Sequence, residues 1–162
     1  MTPPLDVRTG DRLLTLSKNP LSPLLAWWLG CEYSHITAVV SPRLVLNITW
    51  PRPTIETIEE FLAKQRRVLH LRPATPFDSN QVKAWTERSN EILATEYDLL
   101  SFRGHLTNDG KAENHKKLNC AEAVLSLDHA AGLLRGRDFR LISPQSYVEF
   151  AAAGLFTVVE ST

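Results

Sequence analysis

Apolar and polar residues alternate in several short runs along the chain, which is the pattern of half-buried β-strands. From these runs we predict five strands, at residues 12–17, 34–40, 43–50, 67–73 and 155–160. Only Ser41 and Pro42 separate the second run from the third. Two β-rich runs joined by so short a turn predict a β-hairpin.

Other stretches carry apolar residues at helical spacing. From them we predict five helices, at residues 22–29, 54–65, 80–94, 120–134 and 143–154. Ser22 followed by Pro23 is a typical helix start, and Gly30 suits the position just after a helix end. Asp78 or Ser79 is the expected N-cap of the third helix.

The predicted strands cluster mainly in one part of the chain and the helices pack around them, so we predict an α+β fold. Alternation along 34–50 favours an antiparallel sheet with one wetter face. Residues 95–118 are polar and are predicted to be irregular, and a loop of this length is usually functional or mobile. No repeat or linker divides the sequence, and we expect 1–162 to form one domain.

Composition restricts the classes of partner. The 162 residues carry 18 basic and 18 acidic side chains, and this zero net charge argues against a nucleic-acid partner. The N-terminal residues lack the pattern of a signal peptide, and the most apolar run, PLLAWWLG, is too short to span a bilayer. We therefore expect no integral membrane segment and a cytoplasmic location by default, with export by a signal-independent route left open. The sequence leaves the oligomeric state open.

The two cysteines, Cys31 and Cys120, are too few and too far apart to indicate a disulfide framework. Cys31 and His35 lie four residues apart, but no close ligand pair completes a tetrahedral metal site around them. We therefore predict neither a metal nor a cofactor.

Cys120 precedes an apolar run in a sequence that is typical of a helix start. Asn119 is a good N-cap residue, and Glu122 lies three positions later, where a capping box places its acidic partner. Cys120 then lies in the first turn, where the helix dipole favours the thiolate form. First-turn N–H groups, such as that of Ala121, can help to bind an oxyanion. The alternative is that Cys120 is a small buried apolar residue, as free cysteines often are.

A reactive thiol needs a base, and His35 is the best placed of the five histidines. It opens the run HITAVV, whose other residues are small or β-branched, so the ring needs a partner or a cleft. A tight turn at 41–43 places Thr37 opposite Asn47 and makes His35 and Asn47 diagonal neighbours on one face. The Asn47 carbonyl can then fix the imidazole tautomer. The other candidates are less well placed: His70, His105, His115 and His129.

Four segments together resemble the permuted branch of the NlpC-like papain-fold cysteine hydrolases, which includes the lecithin:retinol acyltransferase-like proteins. These segments are TGDRLL (9–14), CEYSHITAVV (31–40), NCAEAVL (119–125) and SPQSYVEFAAAGLFTVV (143–159). The resemblance implies a papain-like fold in which the histidine precedes the cysteine.

The resemblance also implies roles for individual residues. It makes Cys120 the nucleophile and His35 the base, and at the third position of the triad this chain offers Asn47. It also implies that Tyr97, in EYDLLSF, lines the site or helps to bind the oxyanion. Relatives often have an acid or a histidine as third member, so one of two glutamates remains an alternative orienting residue: Glu56 or Glu59.

Three functions follow as hypotheses. The first is a cysteine hydrolase that cleaves an amide bond in a peptide-like substrate, for example a cell-wall peptide or a γ-glutamyl or isopeptide-like bond. The second is a lipid acyltransferase or thioesterase with the same residues, favoured by the permuted order and by Trp27 and Trp28. The third is a non-catalytic binding module that keeps the fold. Trp27, Trp28 and Trp50 are either core residues or the walls of a substrate groove.

Overall fold

The computed structural model describes residues 6–97, 117–138 and 142–161. These residues form an α+β fold, as predicted. The strands are β1 (Arg12–Ser17), β2 (His35–Ser41), β3 (Leu44–Asn47), β4 (Thr54–Thr57), β5 (Gln65–Pro73), β6 (Glu96–Tyr97), β7 (Lys117–Leu118) and β8 (Phe156–Ser161). The helices are α1 (Leu21–Trp28), α2 (Ile58–Ala63), α3 (Ser79–Leu93), α4 (Cys120–Ala130) and α5 (Pro144–Ala152).

Six strands form one antiparallel sheet in the order β4-β3-β2-β1-β5-β8. Successive residues of a strand point to opposite faces of the sheet. In this sheet both faces carry apolar residues. Leu14 and Ile36 lie on the side packed against α3, α4 and α5, whereas Leu13 and Val39 pack with Ile58 and Phe61 of α2. The sheet is thus a central layer, with its larger core on the side of α4.

The predicted helix at 54–65 is wrong over its first four residues. Residues 54–57 form β4, which pairs with β3 along its whole length, from Leu44 opposite Thr57 to Asn47 opposite Thr54. Threonine and isoleucine favour strands, and a paired edge supplies the hydrogen bonds that a helix would otherwise make. The helix starts only after Thr57, whose side chain forms a capping box with Glu60.

The first helix also starts differently from the prediction. It begins at Leu21, with Pro20 at the N-cap position and no side-chain cap. The Ser22 hydroxyl instead accepts a hydrogen bond from the backbone N–H of Ser17 and bonds to the Ser34 hydroxyl. Gly30 follows the helix end with a φ of 64°, as its predicted position requires.

The remaining helix starts agree with their caps. Asp78 caps α3 in a capping box with Gln81, and Ser143 precedes Pro144 at the start of α5. Helix α4 is shorter than predicted and ends at Ala130. The prediction of irregular structure at 95–118 is wrong at both ends, where β6 and β7 pair in parallel. Residues 98–116 of that segment lie outside the described part of the chain.

A buried arginine joins α4 to the sheet. Arg12 of β1 donates to the carbonyl of Gly10 and to the carboxylate of Asp128, near the end of α4. The Tyr147 hydroxyl donates to the other Asp128 oxygen at 2.7 Å. The guanidinium also lies 4.8 Å from the ring centroid of Trp85, which favours a cation–π contact. Burial lowers the pKa of Arg12 to about 10, so the group remains a cation at neutral pH.

Candidate active site

The start of α4 is held by the predicted capping box. The Asn119 side chain accepts from the backbone N–H of Glu122 at 2.9 Å, and the Glu122 carboxylate accepts from the N–H of Asn119 at 2.9 Å. Cys120 is therefore the first helical residue, and its side chain is 4% exposed. The first N–H groups of a helix lack partners within the helix, so this turn favours an anion.

His35 begins β2 at the end of the sheet nearest to this turn. It lies opposite Thr15 of β1. On the other side, Ala38 pairs with Leu46 and Val39 with Val45, and this register, if continued, sets residue 37 opposite residue 47, as predicted. The His35 ring and the Asn47 side chain meet: Nε2 lies 2.9 Å from the Asn47 Oδ1.

The His35 ring also hydrogen-bonds to the Cys120 side chain. Since Nε2 is engaged by Asn47, the nitrogen left for the thiol is Nδ1. Burial lowers the pKa of His35, but the hydrogen bond and the charge interaction with Cys120, joined by Asn47 and Glu56, outweigh it and raise that pKa above 6.5. These contacts favour an imidazolium beside a thiolate.

Glu56 extends the hydrogen-bond series behind Asn47. The Asn47 Nδ2 donates to the Glu56 Oε1 at 2.6 Å, and the Lys64 ammonium donates to the Glu56 Oε2 at 2.6 Å. Burial raises the pKa of Glu56, but the hydrogen bonds from Lys64 and Asn47 outweigh it and keep the carboxyl ionised. Because the Asn47 amide donates to a carboxylate, its oxygen is turned toward His35.

The two glutamates considered as alternative orienting residues differ in their contacts. Glu56 reaches Asn47 and not the ring directly, and Glu59 lies exposed in the first turn of α2. The contact of Glu56 with Asn47 was not predicted, because residue 56 was assigned to a helix. A strand was indicated there by Thr54, Ile55 and Thr57, three β-branched residues within four positions.

A cavity of about 520 Å³ opens beside His35 and Asn47. Its other walls come from α1, from residues 48–50 after β3, and from the end of α2 with the first residue of β5. Cys120, although described, does not line it. Of the three tryptophans considered as groove walls, Trp50 lines this cavity and Trp27 and Trp28 do not.

The other predicted site residues have separate locations. Ala121 is buried in the first turn of α4, next to Cys120. The backbone of Tyr97 lies in β6, and its side chain is outside the described part, as are His105 and His115. His70 bonds to Asp11, and the His129 ring bonds to the carbonyl of Leu134 at 3.0 Å.

Both cysteines are free thiols. Cys31 is half-buried, and burial raises its pKa. Within 6–97, 117–138 and 142–161, no three or more His, Cys, Asp or Glu side chains gather in a way that could hold a metal ion. The described helices also include none with the length and apolar character needed to cross a bilayer.

Comparison with known proteins gives a structural match. No family model matches the chain, and no curated protein matches it in sequence. Among solved structures it is similar to metalloprotein yiiX from Escherichia coli O157:H7, described as DUF1105, with a TM-score of 0.72 and 16% sequence identity. The match covers 97% of this chain and 98% of the other. At this identity the likeness shows a shared fold.

Proposed function

We propose that the protein is a cysteine hydrolase that cleaves an amide bond, with Cys120 as nucleophile, His35 as base and acid, and Asn47 as the residue that orients the ring. The observation that carries the proposal is the uninterrupted series of contacts from Cys120 to His35 and on to Asn47. Nucleophile, base and orienting group in hydrogen-bond contact are the arrangement that covalent acyl transfer requires.

The reaction follows from these contacts. The Cys120 thiolate attacks the amide carbonyl carbon, and first-turn N–H groups of α4, including that of Ala121, stabilise the oxyanion. The protonated His35 gives its proton to the leaving nitrogen as the C–N bond breaks, which leaves a thioester on Cys120. His35 then takes a proton from water, the resulting hydroxide attacks the thioester, and the carboxylic acid is released while the C–S bond breaks.

The order His35, Asn47, Cys120 along the chain supports a place in the permuted NlpC-like, papain-fold branch, and peptide-like substrates such as cell-wall peptides are the proposed class. The likeness to the E. coli protein bears on the fold alone.

A second candidate is a lipid acyltransferase or thioesterase that uses the same thiol. The observation in its favour is the apolar rim of the cavity, where Leu21 and Trp50 are 69% and 62% exposed. Exposed leucine and tryptophan side chains suit contact with acyl chains or a lipid surface.

The test is covalent capture of the acyl-enzyme. Wild type, Cys120→Ala and Cys31→Ala are incubated with peptide amides, with an activated acyl ester and with phospholipid vesicles, and adducts are located by mass spectrometry of digested protein. Acylation at Cys120, retained in Cys31→Ala and absent in Cys120→Ala, is expected. Amide turnover that persists in Cys120→Ala contradicts the proposal. Acylation by vesicles but by no amide favours the second candidate.

A further inference from the structure

The cavity beside His35 has no role in the steps above, although His35, the proposed base, is one of its lining residues. We propose that it is the leaving-group site, and that it accepts an uncharged amphipathic amine. This inference rests on the proposed function, and it adds the chemical class of the group that is released.

The position of the cavity assigns it to the leaving group. In the first half of the reaction the acyl carbon is bonded to the Cys120 sulfur, whereas the leaving nitrogen must lie within reach of the proton on His35. The cavity is lined by His35 and Asn47, and Cys120 is not among its lining residues. Because His35 belongs both to this wall and to the contact with Cys120, we assign the cavity to the part of the substrate that leaves as the amine.

The chemistry of the walls favours an uncharged ligand. Among the described residues of the lining, the ionisable side chains are those of His35 and Lys64, and the Lys64 ammonium already donates to Glu56 at 2.6 Å. A charged leaving group would lose its hydration there without gaining an unpaired counter-charge, which is costly. Several lining residues carry hydroxyl or amide groups instead: Ser17, Asn19, Ser34, Thr49 and Gln65.

The apolar part of the lining makes an amphipathic ligand the better fit. Leu21, Leu25 and Trp50 supply apolar contact in addition to the hydroxyl and amide groups. A ligand with an apolar body and a hydrogen-bonding group can use both kinds of lining residue.

The size of the cavity separates this proposal from simple deamidation. About 520 Å³ lies within the range of sites that enclose a small organic molecule. Ammonia as leaving group would leave almost all of this volume unused. The proposed leaving group therefore has several non-hydrogen atoms.

The test is a series of amides with one acyl group and four leaving groups: ammonia, a neutral amphipathic amine, and the same amine carrying a carboxylate or an ammonium. The measured quantity is kcat/KM for wild type. The neutral amine is expected to exceed each of the other three by about tenfold or more. Equal values, or a preference for a charged amine or for ammonia, overturn the inference.

Variants on the rim give a matched control. Leu21 lines the cavity, and Leu24, one turn later in α1, is similarly exposed but does not line it. Leu21→Ala is expected to reduce kcat/KM for the neutral amine by about 3- to 10-fold more than for the ammonia amide, whereas Leu24→Ala changes neither. Equal effects of Leu21→Ala and Leu24→Ala overturn the inference.

A charge introduced into the wall makes the test independent of packing. Thr49 is exposed and lines the cavity, so Thr49→Asp and Thr49→Lys should both fold. Thr49→Asp is expected to raise the ratio of the ammonium-bearing to the carboxylate-bearing substrate, and Thr49→Lys to lower it. Unchanged ratios overturn the inference.

Failure of the proposed function has a different signature. If the activated acyl ester leaves no adduct on Cys120, the hydrolase proposal fails, and the leaving-group proposal fails with it. If the adduct forms at Cys120 but kcat/KM is insensitive to the leaving group, only the leaving-group proposal is overturned.

Discussion

Two histidines on the strands that flank β1 have different environments. His35 lies opposite Thr15 and His70 opposite Leu13, so both rings are on the same side of the sheet. Each Nε2 has an oxygen partner, Asn47 at 2.9 Å for His35 and Asp11 at 2.6 Å for His70. His35 lies in a cavity wall and contacts a thiol, whereas the His70 side chain is 1% exposed.

The partners of the two rings determine whether each ring can exchange a proton with a bound molecule. The carboxylate of Asp11 also accepts from Arg72 at 3.0 Å and from the backbone N–H of Arg8 at 2.9 Å, so His70 belongs to a closed polar cluster. A buried histidine that is bonded to a carboxylate and sealed from solvent stabilises a fold but cannot exchange protons with a substrate. The neutral amide beside His35 fixes the ring and leaves its second nitrogen available.

The largest expected effect is the loss of activity in His35→Ala. We expect kcat/KM for an amide substrate to fall by roughly 10²- to 10⁴-fold, because the proton donor and acceptor is removed. Because the ring is only half-buried, the free energy of unfolding should change by about 1 kcal/mol or less. Amide hydrolysis and urea denaturation measure the two quantities. Unchanged hydrolysis by a folded His35→Ala protein would contradict the assignment of His35 as base and acid.

The opposite result is expected for His70→Ala. Loss of the buried ring leaves a gap and removes one partner of Asp11, so we expect the free energy of unfolding to fall by about 2–4 kcal/mol. The kcat/KM of the folded fraction should stay within about twofold of wild type. His129→Ala, which removes a partly buried ring bonded to one carbonyl, is the control and should cost about 1 kcal/mol or less.

The two cysteines also differ in their surroundings. Burial raises the pKa of Cys31, whereas Cys120 contacts the His35 ring. At pH 6 we expect iodoacetamide to alkylate Cys120 about tenfold faster than Cys31, because the thiolate is the reactive form. Peptide mass spectrometry after timed quenching separates the two sites. In His35→Ala the advantage of Cys120 should disappear, and its persistence would show that His35 does not activate the thiol.

The smallest expected effect tests the outer end of the hydrogen-bond series. The charge of Glu56 helps to raise the pKa of His35. Glu56→Gln should therefore lower that pKa and move the alkaline limb of the pH–rate profile to lower pH, with kcat reduced by about 3- to 10-fold. Glu59→Gln, a neighbouring exposed change, is the control and should leave the profile in place.

The same shift has a consequence for stability. Because the pKa of His35 is raised in the folded protein, the protonated ring adds stability that is complete below about pH 6.5. That contribution is lost as the pH rises through the raised pKa. In Glu56→Gln the contribution should be smaller and its loss should be complete at a lower pH, which urea denaturation at a series of pH values detects.

Local signals in the sequence were sufficient to predict several parts of the candidate site. The capping box of Asn119 and Glu122 depends only on neighbouring residues, and so does the short turn that sets the register of β2 against β3. Both were predicted and are confirmed. The antiparallel α+β class was likewise predicted from local periodicity and is confirmed.

Long-range contacts explain what was missed. Ile55 continues the helical spacing of Ile58 and Phe61, but the pairing of 54–57 with β3 decides the structure of that stretch. The contact of Glu56 with Asn47 depends on that pairing and was therefore not foreseen. His35 and His70 both alternate with apolar residues along a strand, so periodicity alone cannot say which ring is sealed and which faces a cavity.

The buried contact of Arg12 with Asp128 bears on how such a protein can evolve. It fixes α4 to the sheet about 12 Å along the helix from Cys120, given the rise of 1.5 Å per residue. The cavity rim is built by other elements, at Leu21 and Trp50. In the proposed hydrolase, substitutions on the rim would therefore change which molecule is admitted without displacing the sulfur, and selection could act on specificity and on reactivity separately.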